Sequence, residues 1–176
     1  MKISNETKLI LKQTYRSKNS GIRQHFISDI IKENNLTLGA EIGVRFGQTL
    51  FYILEKNPVL KMHAVDKKTS QFVGKIKDYK DRIFVHEVDS RQSPDYVDDQ
   101  SLDFFFIDAS HTYKNVKKDL MAWIPKLKND GWMIGHDINY PSVEAAVRET
   151  IGKYEVGPDN VWFYKNNENY KGLQKL

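Results

Sequence analysis

Leu102-Asp103-Phe104-Phe105-Phe106-Ile107 is apolar at nearly every position, where a strand with one face in water would alternate. Such a run belongs at the centre of a parallel sheet covered on both faces. The stretch that follows predicts a covering helix over 113–127, with Val116, Leu120, Trp123, Ile124 and Leu127 on one side. Lys114, Lys117, Lys118 and Asp119 fall largely on the other side, and Pro125 marks a kink or a broken last turn. Further strands are predicted at Leu38 to Ile42, Met62 to Val65, Ile83 to Val88, Trp132 to Ile134 and Val161 to Tyr164. Helices are predicted at Gln48 to Lys56, Ser70 to Lys77 and Ser142 to Ile151, and an earlier one carries Ile22, Phe26 and Ile30 at helical spacing, ending near Asn34-Asn35. Strand, helix, strand repeated in this way argues for an open, doubly wound α/β sheet. The rhythm breaks at the end, where Tyr154-Glu155-Val156, a Gly-Pro-Asp-Asn turn and Val161 to Tyr164 predict an antiparallel hairpin at one edge.

The chain has 176 residues, 40% apolar and 28% charged, which suits one domain: an N-terminal helical segment (1–35), a core (36–165) and a polar tail (166–176). The absence of cysteine excludes a disulfide framework, a thiolate zinc site and a cysteine nucleophile, so any metal must be held by oxygen or imidazole. No window approaches ~18 uninterrupted apolar residues, and the amino terminus has no apolar run followed by a small-residue cleavage site. A cytoplasmic protein that does not enter a membrane is expected. The formal charge of +4 raises nucleic acid or an acidic membrane surface as partners, but the lysines are scattered among Asp and Glu. A solvated surface accounts for them better.

In an open parallel sheet, ligands bind outside the carboxyl ends of the strands. After the first strand comes Glu41-Ile42-Gly43-Val44-Arg45-Phe46-Gly47, a turn opening a helix whose first N–H groups are unpaired. After the second comes Asp66, placed to accept hydrogen bonds from ribose hydroxyls. The third ends in Asp89-Ser90, the fourth in Asp108-Ala109-Ser110-His111 and the fifth in Gly135-His136-Asp137. Each has a plainer reading alone: a glycine pair is commonly a turn, an aspartate before a helix commonly a cap, and His63 and His86 inside strands commonly packed histidines. Their order along one sheet edge is what favours a ligand site. A nicotinamide dinucleotide usually requires G-x-G-x-x-G, whereas here the spacing is G-x-x-x-G with Arg45 in the loop. Glu41 repels a pyrophosphate and suits an ammonium group, pointing to an amino-acid nucleoside.

The Glu41 to Gly47 stretch resembles the first motif of class I S-adenosylmethionine-dependent methyltransferases. Phe106-Ile107-Asp108-Ala109-Ser110-His111-Thr112-Tyr113, with Asp119-Leu120, Trp123, Leu127, Gly131 and Gly135-His136-Asp137, resembles the branch allied to catechol-type O-methyltransferases. The resemblance spans about 36–164 and implies a Rossmann-like, seven-stranded sheet of order 3-2-1-4-5-7-6 with strand seven antiparallel. It implies that Glu41, Gly43 and Gly47 line the methionine end of the cofactor, Asp66 the ribose and Asp89-Ser90 the adenine, with Arg45 and Asp108 among the cofactor contacts. It also implies a divalent cation, Mg²⁺ or another, at Asp108 and Asp137. His136-Asp137 stands where that branch usually has an Asp-Asn pair, and an imidazole shifts preference toward Mn, Fe or Zn. His111 or His136 is the candidate general base.

A hydroxyl oxygen of a small-molecule or sugar acceptor is the expected methyl destination, and a homodimer is one way to wall an open cofactor edge. A cofactor-binding module without transfer activity and a nicotinamide-dependent reductase are the alternatives.

Overall fold

In a computed structural model describing residues 21–166, α1 (Ile22–Glu33) leads into β1 (Leu38–Ile42), α2 (Gln48–Lys56), β2 (Lys61–Asp66) and β3 (Ile83–Glu87). Then follow β4 (Leu102–Ile107), α3 (Tyr113–Trp123), β5 (Leu127–Gly135), α4 (Pro141–Ile151), β6 (Glu155–Val156) and β7 (Trp162–Lys165). Residues 1–20 of the predicted N-terminal segment, and the tail from 167, lie outside the described residues.

The strands form one sheet of order β3-β2-β1-β4-β5-β7-β6. β1 to β5 are parallel neighbours, while β7 runs antiparallel to both β5 and β6, as the terminal hairpin requires. β4 is central, and its pleat sends successive side chains to opposite faces. Phe104 and Phe106 join Phe26, Ile27, Ile30, Leu50 and Ile53 beneath α1 and α2. Phe105 and Ile107 join Val116, Leu120, Trp123 and Val147 beneath α3 and α4. Each buried Phe stabilises the fold by roughly 1.5–3 kcal/mol, which is why an unbroken apolar run is tolerated here. Asp103, the polar interruption, sits at the opposite end from the ligand edge; it accepts hydrogen bonds from Thr37 N (2.7 Å), Leu38 N (2.9 Å) and Lys128 Nζ (2.6 Å), pinning the start of β1.

Three expectations change. The predicted helix over 70–77 is two short 3₁₀ turns, Thr69–Gln71 and Val73–Asp78, because Phe72 alone there is a buried large apolar side chain and Gly74 weakens any longer helix. α3 stops at Trp123, and Pro125 sits in a 3₁₀ turn (Ile124–Lys126) before β5, which begins at Leu127. Asp119, expected on the solvated side of α3, is buried against Ser90. Between β3 and β4 there is only a 3₁₀ turn, Ser93–Tyr96, so Phe84 and Tyr96 remain exposed beside a stacked His63–His86 pair.

Candidate functional site

The carboxyl ends of β1, β2, β4 and β5 are stitched by backbone bonds that continue the ladders: Gly43 N to Val65 O (2.9 Å), Asp108 N to Ile42 O (2.8 Å) and His136 N to Ile107 O (3.1 Å). Gly43 has φ +93°, and a Cβ there would lie 2.4 Å from the Asp108 carbonyl oxygen. Its role is thus to let β1 close on β4. Gly47, at φ +75°, begins α2, and a Cβ would strike the Phe51 ring at 2.5 Å. It shapes the helix entry and does not line either cavity described below.

A cavity of ≈ 320 Å³ runs along this edge, within the usual range for small-ligand sites. Gly43, Arg45, Asp66, Ser90 and Asp108, each an expected cofactor contact, line it. Asp66 also holds the loop, accepting from Arg45 N (2.7 Å) and Lys68 N (2.9 Å). A carboxylate has about four lone-pair sites, so it retains capacity for ribose hydroxyls. At the far end Ser90 Oγ donates to Asp119 Oδ1 (2.6 Å), and the Trp123 indole donates to Ser90 O (2.9 Å). Burial pushes the Asp119 carboxyl up, with the Ser90 bond opposing it. Asp89 does not line the cavity. It pairs with Arg91 and with Lys67 (2.9 Å), and these hydrogen bonds hold its carboxyl far below the ordinary range.

A second cavity of ≈ 300 Å³ lies beyond Asp108 and is lined by Arg23, Glu41, Phe46, His111, His136 and Asp137 among others. Gly43, Arg45, Asp108 and Ala109 border both spaces. Glu41 is 2% exposed and its Oε2 lacks a hydrogen-bond partner. Burial, then the neighbouring Asp108, push its carboxyl well above the ordinary value, while Arg23 pulls it down. A buried carboxyl with an orphaned oxygen suits the ammonium group of an amino-acid nucleoside, so the residues fit S-adenosylmethionine.

Asp108, His111 and Asp137 converge, with one ligand atom from each lying within 4.8 Å of the others. Asp137 sits in a left-handed turn (φ 60°) after β5, and its Oδ2 is 2.6 Å from His111 Nε2. His111 is otherwise exposed and stacks on Tyr140, ring centroids 5.0 Å apart. Two carboxylates and an imidazole at this spacing are a donor set that one divalent cation can span. His136 is mostly buried, with Nδ1 3.0 Å from Arg23 Nη1 and 3.1 Å from Asp137 Oδ1. Burial lowers its basicity, but Asp108 and Asp137 outweigh this and raise it above the ordinary imidazole value. For Asp108, burial raises the carboxyl and His136 with Arg23 outweigh it, leaving it below the usual range.

Arg23, Asn115, Asp119 and Arg91 also line these spaces and were missed by sequence reasoning. Asn115 and Asp119 lie four residues apart on α3, a helical spacing that signals a shared face once that face is known to border the edge. Arg23 reaches Asp108 and His136 from a helix 85 and 113 residues away, for which the sequence holds no signal.

A Rossmann-like sheet of this order, with a nucleoside-sized cleft at its carboxyl edge opening onto a second cavity lined by charged side chains, defines the class I S-adenosylmethionine-dependent methyltransferases. A family model described as a methyltransferase domain matches residues 40–138, more than half of the chain, and the chain belongs to that family. No curated protein matches it. Among solved structures it is similar to a protein assigned as a caffeoyl-CoA O-methyltransferase from Staphylococcus aureus (TM-score 0.71, 15% identity, 93% of each chain covered). It is similar to a Podospora anserina methyltransferase solved with S-adenosylhomocysteine (0.67, 12%, covering 92% of this chain and 87% of that one). It is also similar to CalS11, a TDP-rhamnose 3′-O-methyltransferase of calicheamicin biosynthesis (0.60, 18%, 94% and 96%). At such identities these likenesses establish the fold.

Proposed function

We propose that the protein transfers the methyl group of S-adenosylmethionine to a hydroxyl oxygen of a small-molecule or sugar acceptor, assisted by a divalent cation. The observation that carries this reading is the shared border at Gly43, Arg45, Asp108 and Ala109, which joins the cleft to the second cavity, where Glu41, Asp108 and Asp137 stand. Structural neighbours described as acting on caffeoyl-CoA and on TDP-rhamnose support an oxygen acceptor.

When bound, S-adenosylmethionine supplies a methyl group on a sulfonium, already an excellent leaving group. The protein's task is therefore orientation and deprotonation of the acceptor. Glu41 would hold the ammonium end, Asp66 the ribose, and Ser90 with Asp119 the base. Asp108 and Asp137 would hold the cation, which would supply Lewis acidity toward the acceptor hydroxyl. His111, oriented by Asp137 at 2.6 Å, takes the acceptor proton. His136, mostly buried behind the carboxylates, positions them.

The test is S-adenosylhomocysteine formation across phenolic and sugar acceptors, with Mg²⁺, with Mn²⁺ and with a chelator. Metal-stimulated product methylated on oxygen supports the reading. Transfer to nitrogen alone, or turnover indifferent to chelation, would replace it.

A further inference from the structure

Arg23 stands in the first turn of α1, whose Phe26, Ile27, Ile30 and Ile31 are buried in the core. The helix is fixed, while its first long side chain reaches across to the ends of β4 and β5. Nη1 lies 2.9 Å from Asp108 Oδ2 and 3.0 Å from His136 Nδ1. The side chain is 19% exposed, and its buried Nε has no hydrogen-bond partner among the described residues. A guanidinium keeps its charge at any accessible pH, so it can leave Asp108 only by moving bodily.

Asp108 is also one of the three converging donors. A divalent ion on its carboxylate would meet the guanidinium at a few ångströms, in a partly buried setting where like charges repel strongly. With Oδ2 taken by the guanidinium, an ion can reach only Oδ1 unless Arg23 moves, and in either case the two positive charges oppose each other. We propose, on the reading of Asp108 and Asp137 as a cation site, that Arg23 is a built-in competitor of the metal. The guanidinium holds Asp108 until a divalent ion displaces it. The side chain then swings within the acceptor cavity that it already lines, and α1 stays seated on its apolar face. The site consequently binds metal more weakly than its two carboxylates would alone.

Mn²⁺ alone is the probe, titrated calorimetrically into the full chain, with S-adenosylmethionine affinity and a melting curve confirming that each variant is folded. Arg23→Met should bind Mn²⁺ at least tenfold more tightly than wild type, about 1.4 kcal/mol. Arg23→Lys, which keeps a cation, should stay closer to wild type, and adding Asp108→Asn to Arg23→Met should erase the gain. Arg23→Gln gives the same comparison if the Met variant does not fold.

Equal Mn²⁺ affinity in wild type and Arg23→Met, while Asp137→Asn still abolishes binding, overturns the competition and leaves the cation site standing. Mn²⁺ binding that survives both Asp108→Asn and Asp137→Asn overturns the site itself. Absence of binding in wild type and Arg23→Met overturns both.

Discussion

Glu41 ends β1 with 2% of its surface exposed, an orphaned Oε2 and a carboxyl pushed well above its ordinary value by burial and then by Asp108. An unperturbed glutamate titrates near ~4.3, so the folded chain retains a proton that the unfolded chain has lost. Stability therefore falls as pH rises from that ordinary range through the raised value. Glu41→Gln removes this cost: its melting temperature should exceed that of wild type by a few degrees at neutral pH, with the two converging in acid. An ammonium group beside the carboxyl reverses the preference. Cofactor binding should release a proton, detected by calorimetry in buffers of different ionisation enthalpy, and should strengthen with pH. Glu41→Gln should lose about tenfold in affinity, the low end for hydrogen bonds to a charged group, together with that pH dependence. An acid at the end of β1 was legible in the sequence. The upward push on its carboxyl was not, because that comes from burial and then from Asp108, both set only by the fold.

Among the elements, β2 and β3 carry a second titratable pair. His63 Nδ1 lies 2.9 Å from His86 Nε2, and the rings stack with centroids 5.1 Å apart. Burial, and then His86, lower the His63 imidazole to about 4. A free histidine titrates near ~6.5, so below that pH the unfolded chain takes up a proton that the fold resists. Stability should decline as pH falls from 6.5 toward about 4. His63→Gln should flatten that limb in urea melts taken at successive pH values, and an unchanged slope would assign the loss elsewhere. The same region marks the limit of pattern reading. Phe72, Val73 and Ile76 mimic helical spacing, yet Val73 is exposed and the chain settles for 3₁₀ turns. Strand ends were easier to place, since an apolar run such as Phe104 to Ile107 must stop where the polar residues of the edge begin. Asp119 was misplaced because nothing in α3 announces that Ser90, 29 residues earlier, arrives beneath it.

At the scale of the whole molecule, the two cavities depend on how closely β1 and β4 approach at Gly43. Gly43→Ala would add a Cβ 2.4 Å from Asp108 O on a backbone of φ +93°, combining left-handed strain with a clash against main chain. It should destabilise the protein by ~2–4 kcal/mol in urea melts and weaken both S-adenosylmethionine and Mn²⁺ binding. Gly152→Ala is the control: φ is +82° but nothing lies within 4 Å of the added carbon, so its cost should be ~1–2 kcal/mol with both ligands unaffected. No described helix is long and apolar enough to cross a membrane.

Between the two chambers Gly43 closes on the backbone of Asp108 and Ala109, which leaves no room for a side chain at that point. Phe46, which lines the second chamber, and Tyr140, which stacks on His111, are instead both half-open to water. Redirecting this scaffold toward a different nucleophile is therefore a matter of exchanging those two exposed rings, while the nucleoside seat is inherited unchanged.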